Sequence, residues 1–222
     1  MMLNLFTMFD PNLSYFSFNW MSSNLFMLII PQMFWFYPSR IINILTFFMT
    51  NMWLEYKMIL SNKFNLMNLI FFISMFFFFF FSNFMGLFPY IFTSSSHLHF
   101  SLSFSLPMWF GLMLFGWLNN TNHMFTHLVP MGTPFILMFF MVIIETLSNI
   151  IRPLTLSIRL VANMIAGHLL LTLLSMFAPK FMMMYFIILI IQLLLLILEI
   201  SVSIIQSYVF VILLILYMKE IN

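Results

Sequence analysis

From Phe64 to Ile144 the chain carries not one Asp, Glu, Lys or Arg. About 20 apolar residues are enough to cross a hydrocarbon core about 30 Å thick, so a stretch this long and this free of charge holds several crossings. Inside lipid every backbone N–H and C=O must find its partner within the chain, which leaves helices or a closed barrel. The apolar runs are long and do not alternate with polar residues as barrel strands do. The expected fold is an all-α integral membrane protein. The remaining composition agrees: 64% of the 222 residues are hydrophobic, 5% are charged and the mean hydropathy is +1.12, whereas roughly a quarter of a soluble domain is charged.

About five transmembrane helices plus one membrane-surface helix are expected, in a single membrane domain over 1–222. The first crossing is placed at 16–37. The following stretch, 40–62, mixes Arg40, Glu55 and Lys57 with apolar residues, a pattern that suits a helix lying on the bilayer. Two crossings fit at 65–90 and 101–118, separated by turn residues that include Gly86, Pro89 and a serine run. Two much longer apolar segments, 135–178 and 181–218, follow. At 1.5 Å per residue each would exceed about 50 Å, so each must tilt strongly, bend or break, and Pro153 is the expected bend in the first. The phenylalanine run "FFISMFFFFFF" (71–81) reads as filler facing lipid. The opening "MMLNLFTMFDPNLSYF" shows no targeting segment. There is no cysteine and hence no disulfide framework.

With five crossings the termini lie on opposite sides. Arg40, Lys57, Lys63 and Lys219 then share one face and Lys180 the other, and the positive-inside rule puts the four, with the C-terminus, on the matrix or cytoplasmic side.

The informative residues are the few charges in the two long segments. Residues seven apart on a helix differ by only about 20° in direction, so Glu145, Arg152 and Arg159 lie on one stripe. A guanidinium keeps its proton at physiological pH and cannot escape burial by neutralising. Glu145 lies about 21 Å along the axis from Arg159, too far for an ion pair, whereas Arg152 is within its reach. Ala162, Asn163, Ala166 and Gly167 share the side of Arg159 and permit close approach by another helix. The last segment repeats the spacing with Gln192, Glu199, Gln206 and Glu220, and Gln206 is a candidate hydrogen-bond partner of Arg159. Glu199 could reach Arg159 only if the register set them level. Arg159 therefore reads as a charge held for a carboxylate arriving from elsewhere. The plainer alternative is a set of buried Glu and Arg residues that neutralise one another and fix helix packing. His168, which points away from Arg159, suits a proton relay or a packing role. His123 and His127 stand four apart without an evident third metal ligand and read, like His97 and His99, as solvated loop residues.

The motifs together carry a family resemblance. "TLSIRLVANM" (155–164) resembles the signature of subunit a of the rotary F-type ATP synthases, and "RLVANMIAGHLL" is similar to its mitochondrial branch. "GLFPYIFTSSSHL", "NHMFTHLVPMGTP", "ETLSNIIRPLTL" and "LEISVSIIQSYVF" fit the same family in the same order, over about 70–218. The resemblance implies a stator subunit that lies against a rotating ring of c subunits, each with one essential carboxylate, and provides two offset half-channels for protons. It implies that Arg159 is the essential arginine between them, that His168 and Glu199 are relay positions of the half-channel open to the intermembrane space, and that Glu145 is an acid of the matrix half-channel. Glu220 stands where relatives often have Asp. Asn163 and Gln206 match polar neighbours of the arginine.

The implied partners are the c ring, the peripheral stalk, other membrane-sector subunits and the lipid bilayer, with protons as the transported species and no nucleic acid. The implied location is the mitochondrial inner membrane, with the N-terminus toward the intermembrane space and the C-terminus toward the matrix. No phosphate-binding glycine loop is present, so a subunit without catalysis of its own and without a cofactor or metal is expected. Rival readings are a proton-coupled secondary transporter or antiporter-like respiratory subunit, which should show inverted repeats, and a purely structural anchor.

Overall fold

The computed structural model describes residues 5–12, 18–25, 28, 30–31, 36–60, 66–88, 91–129, 134–177 and 185–221. Among these the chain is helical and without strands. Six α-helices follow in order: α1 Arg40–Ile59, α2 Leu66–Gly86, α3 Leu98–Asn119, α4 Thr121–His127, α5 Phe135–Phe177 and α6 Tyr185–Ile221. Short 3-10 turns lie at Leu5–Phe9, Phe18–Asn24 and Ser94–Ser96. Four helices are long and apolar enough to cross a membrane: Met67–Gly86, Leu98–Asn119, Leu137–Phe177 and Tyr185–Ile221. Of the expected first crossing, 16–37, residues 18–25, 28, 30–31 and 36–37 are described, with Phe18–Asn24 in a 3-10 turn, and the remainder lies outside the described residues.

Helix α1 is not one of the four. Ser39 caps it by accepting the Ile42 N–H at 3.5 Å, and its exposed side mixes apolar Ile41, Ile44 and Phe47 with polar Asn43, Thr46 and Lys57. Its inner side packs on α2 and α6. There the fully buried Tyr56 has its phenol pushed well above the ordinary range by burial, so the hydroxyl stays neutral. Next to it, Glu55 accepts a hydrogen bond from the Tyr208 hydroxyl of α6 at 3.2 Å.

The two long segments are unbroken helices. The 43 residues of α5 and the 37 of α6 measure about 64 and 56 Å at 1.5 Å per residue, against about 30 Å of hydrocarbon, and both are therefore tilted in a bilayer. Helix α5 continues through Pro153, so the proline does not divide it.

The core corrects the reading of the phenylalanine run. Helix α2 packs along α6 and against α1. Phe72, Phe76, Phe77 and Phe79 are therefore buried among Leu160 of α5 and Val211, Leu214 and Ile215 of α6. Only the outward edge of α2, such as Phe71, is exposed. The composition of the run gave no sign of this, because lipid and a helix core accept the same side chains. Phe79 is fully enclosed, with its ring 4.4 Å from that of Phe210. Phe79→Ala is expected to destabilise the fold by about 3 kcal/mol through the cavity it leaves, read as a lower unfolding midpoint of the assembled complex in graded detergent. Small residues permit close approach elsewhere: Ser101 and Ser105 of α3, Ser157 of α5, and Ser203 and Ser207 of α6 are all buried.

Candidate functional site

The rotation of α5 about its axis decides the fate of its charges. Pro153, Ser157, Leu160 and Met164, spaced three or four apart, face inward and are buried. Arg159 is one position, about 100°, round from Leu160. It is exposed, as are Ala162, Asn163 and Ala166. Arg159 makes no ion pair or hydrogen bond with any described residue. One turn to either side of it on that face stand the exposed Thr155 and Asn163, and the adjoining Ile158 is uncovered.

The expected bond from Gln206 to Arg159 is not formed. Gln206 is half-buried, and equal antiparallel steps from the contact of Gly167 with Glu199 bring it level with Leu160. The two residues are near in height, but the guanidinium is turned outward.

Arg152, two turns earlier, has the opposite environment. Its Nη2 lies 3.5 Å from Glu145 Oε1 and its Nη1 lies 3.2 Å from Glu220 Oε2. The guanidinium carbon stands 5.0 Å from the centre of the Tyr217 ring, within cation–π range. The pairing of Glu145 with Arg152 follows from their spacing. The second carboxylate and the tyrosine come from α6, and their arrival depends on cross-helix register, which the seven-residue repeat alone does not fix. The plainer reading, mutual neutralisation, thus applies to Arg152 and not to Arg159. A cavity of about 230 Å³ adjoins this cluster and is lined by Arg152, Glu220, Tyr217, Asn149, Thr146 and His127 among others.

A second polar group lies further along α5. Glu199 is 8% exposed, and its Oε1 is buried with no hydrogen-bond partner. The carboxyl rests on Gly167: a Cβ there would stand 2.7 Å from Oε1 and 3.0 Å from Cδ. In the sequence Gly167 signals only a general allowance for close packing, and the structure gives it a particular task. His168 is half-buried, its ring reaches the backbone of Gly86, and its Nε2 is buried without a partner.

His168 borders two cavities. The smaller, about 210 Å³, is shared with Asn163, Gly167 and Glu199. The larger, about 740 Å³, is shared with Gly86, Thr93, Thr172, Ser175 and Gln192. Both have room for water. Gln192 and Thr93 are thus additional polar wall residues; the repeat 192, 199, 206 pointed to the first, and nothing in the sequence pointed to the second.

The remaining histidines divide. His123 and His127 belong to the short helix α4 rather than a loop, with rings 6.2 Å apart, and no group of three candidate metal ligands occurs among the described residues. His99 is exposed. His97 is not solvated as expected: its ring lies 5.2 Å from Trp20 and 5.1 Å from Phe92, and Nε2 is buried. The turn after α2 folds back over the helix ends and covers it.

The architecture is that of a multi-pass helical membrane protein whose fifth helix carries a paired Arg152 and an uncovered Arg159, with one cavity beside Arg152 and two beside His168. The sequence pattern of the family described as "ATP synthase A chain" matches residues 16–219, so the match starts well before the motif-bearing stretch. Relatives aligned over the full length of both chains include "ATP synthase subunit a" of Locusta migratoria at 56% identity, of Drosophila melanogaster at 52% and of Anopheles quadrimaculatus at 50%. The chain belongs to the ATP synthase A chain family.

Proposed function

We propose that this chain is the proton-translocating stator subunit of the ATP synthase membrane sector in the mitochondrial inner membrane, with its C-terminus toward the matrix. The observation that carries the reading is the uncovered Arg159 on an otherwise uncharged outer face, without an ion-pair partner among the described residues. An arginine at mid-bilayer costs about 2.5–3.5 kcal/mol on insertion scales and more in direct contact with lipid. A partner surface must cover it, and a ring bearing one carboxylate per subunit supplies both cover and counter-charge.

In this reading a proton from the intermembrane space passes through the larger cavity to His168, then to Glu199 beside Asn163, and onto a ring carboxylate. The neutral acid then turns through lipid. On the far side of Arg159 it meets the cavity lined by Glu220 and Arg152, with Glu145 paired to that arginine, releases its proton toward the matrix and is attracted as a carboxylate to Arg159. Along α5, Arg159 stands about 10 Å from Arg152 and about 12 Å from Gly167, a fixed positive charge between two separate cavities. It opposes direct passage of a proton from one to the other. Each charge crossing the membrane releases about 2.3 kcal/mol per 100 mV, and rotation of the ring carries that energy to nucleotide sites in other subunits.

The test uses the absence of cysteine from the chain. In the assembled complex, Ala162→Cys or Ala166→Cys should cross-link to a cysteine on the outer helix of a ring subunit, while Ser203→Cys, buried between helices, should not. Cross-linking of neither alanine position, with the complex intact, overturns the ring-facing assignment.

A further inference from the structure

We infer that Arg152 is a positioning residue that makes Glu145 and Glu220 a one-proton store at the matrix-side outlet, an inference that rests on the proton-path reading above. The geometry divides one guanidinium between two carboxylates: Nη2 takes Oε1 of Glu145 and Nη1 takes Oε2 of Glu220. Each acid keeps its other oxygen outside these contacts. The guanidinium does not give up its proton, so it cannot relay one, and Arg152 therefore acts through the two acids.

Charge balance sets the capacity. Two carboxylates and one guanidinium sum to −1. One proton bound to either carboxylate brings the cluster to neutrality, and a second would leave it positive, so the cluster takes up one proton and resists two. The proton forms one O–H bond on a carboxyl, and that bond breaks when the proton leaves to water in the adjoining cavity. The Tyr217 ring face, 5.0 Å from the guanidinium, favours the cation where it stands. The cluster also ties α5 to α6 at the end where the Asn120 side chain donates to the Ile221 carbonyl at 3.4 Å. Besides Arg152, Glu220 and Tyr217, the titratable group on this cavity is His127 of α4, exposed and placed to pass the proton outward.

The test uses assembled complexes in inner-membrane vesicles. Arg152→Gln removes the cation, the two acids repel each other, and a proton is held more tightly between them. ATP synthesis should fall about tenfold, and the residual rate should reach half its maximum at a higher matrix-side pH, by about one unit. Its dependence on pH at the other face should be unchanged. Arg152→Lys should restore most of the rate and the pH profile. Arg152→Gln with Glu220→Gln, which returns the cluster to −1, should move the profile back.

A loss of rate with an unshifted matrix-side profile assigns Arg152 to structure alone and overturns the inference, as does an unchanged rate. If Arg152→Gln prevents assembly, the isosteric Glu220→Gln decides: a matrix-side shift to lower pH is expected, and no shift overturns it. If Arg159→Gln in the same vesicles leaves coupled synthesis intact, the proton-path reading itself has failed; if it abolishes synthesis while the Arg152 variants behave as wild type, only the present inference has.

Discussion

Arg159→Gln is expected to abolish ATP synthesis driven by a proton gradient, to below about a hundredth of the native rate, with the complex still assembled. At about 4 Å and an effective dielectric near 20, the guanidinium and a ring carboxylate gain on the order of 4 kcal/mol before desolvation, and each 1.4 kcal/mol is tenfold. Losing that term leaves the ring acid reluctant to ionise beside the stator. Because Arg159 is exposed and has no partner among the described residues, its removal orphans no carboxylate within the chain, so misfolding does not account for the loss. Passive proton leak should rise, since a neutral amide no longer repels a proton between the cavities. The measurement is synthesis and leak in energised inner-membrane vesicles, normalised to assembled complex; a rate above a tenth of native would sink the assignment and favour a structural anchor.

Glu199→Gln is the second large effect. The glutamine has nearly the same shape, and the carboxyl it replaces makes no ion pair among the described residues, so stability should change little. Relay by a positioned acid is worth roughly 10²–10⁴ in rate, and a fall of about 10² in synthesis is expected. Gly167→Ala should give a smaller loss of the same kind: its Cβ would stand 2.7 Å from Oε1 and push the carboxyl off its seat on the glycine, beside the cavity shared with Asn163 and His168. Gly111→Ala, where a Cβ meets nothing within 4 Å, is the control. Equal losses in both alanine variants would argue against a seat at Gly167.

Much of the site was legible because charge is rare in this chain. When a long apolar segment contains only Glu145, Arg152 and Arg159 as charges, the residues that must explain themselves are obvious, and the spacing by sevens puts Glu145 with Arg152 and places Glu199 and Gln206 on one stripe. The axial distance from Glu145 to Arg159, about 21 Å for 14 residues at 1.5 Å each, by itself excludes their pairing. The phenylalanine run was misread for the opposite reason: an apolar side chain is at home in lipid and in a helix core, so its identity does not say which it faces. His97 was misread because its neighbours in sequence are serines, while its neighbours in space are Trp20 and Phe92.

By itself the sequence determined the helical membrane fold, the existence of two overlong helices and the short roster of titratable groups, because backbone satisfaction in lipid and the 1.5 Å rise are local constraints. The tertiary structure decided how each long helix is turned about its axis and how far it slides past its neighbour. Those two quantities carry Glu220 and Tyr217 to Arg152, seat Glu199 on Gly167 and leave Arg159 facing outward. They are fixed by burial of side chains distant in sequence, Leu160 against Phe76 and Val211 among them, and no periodicity within one helix encodes them.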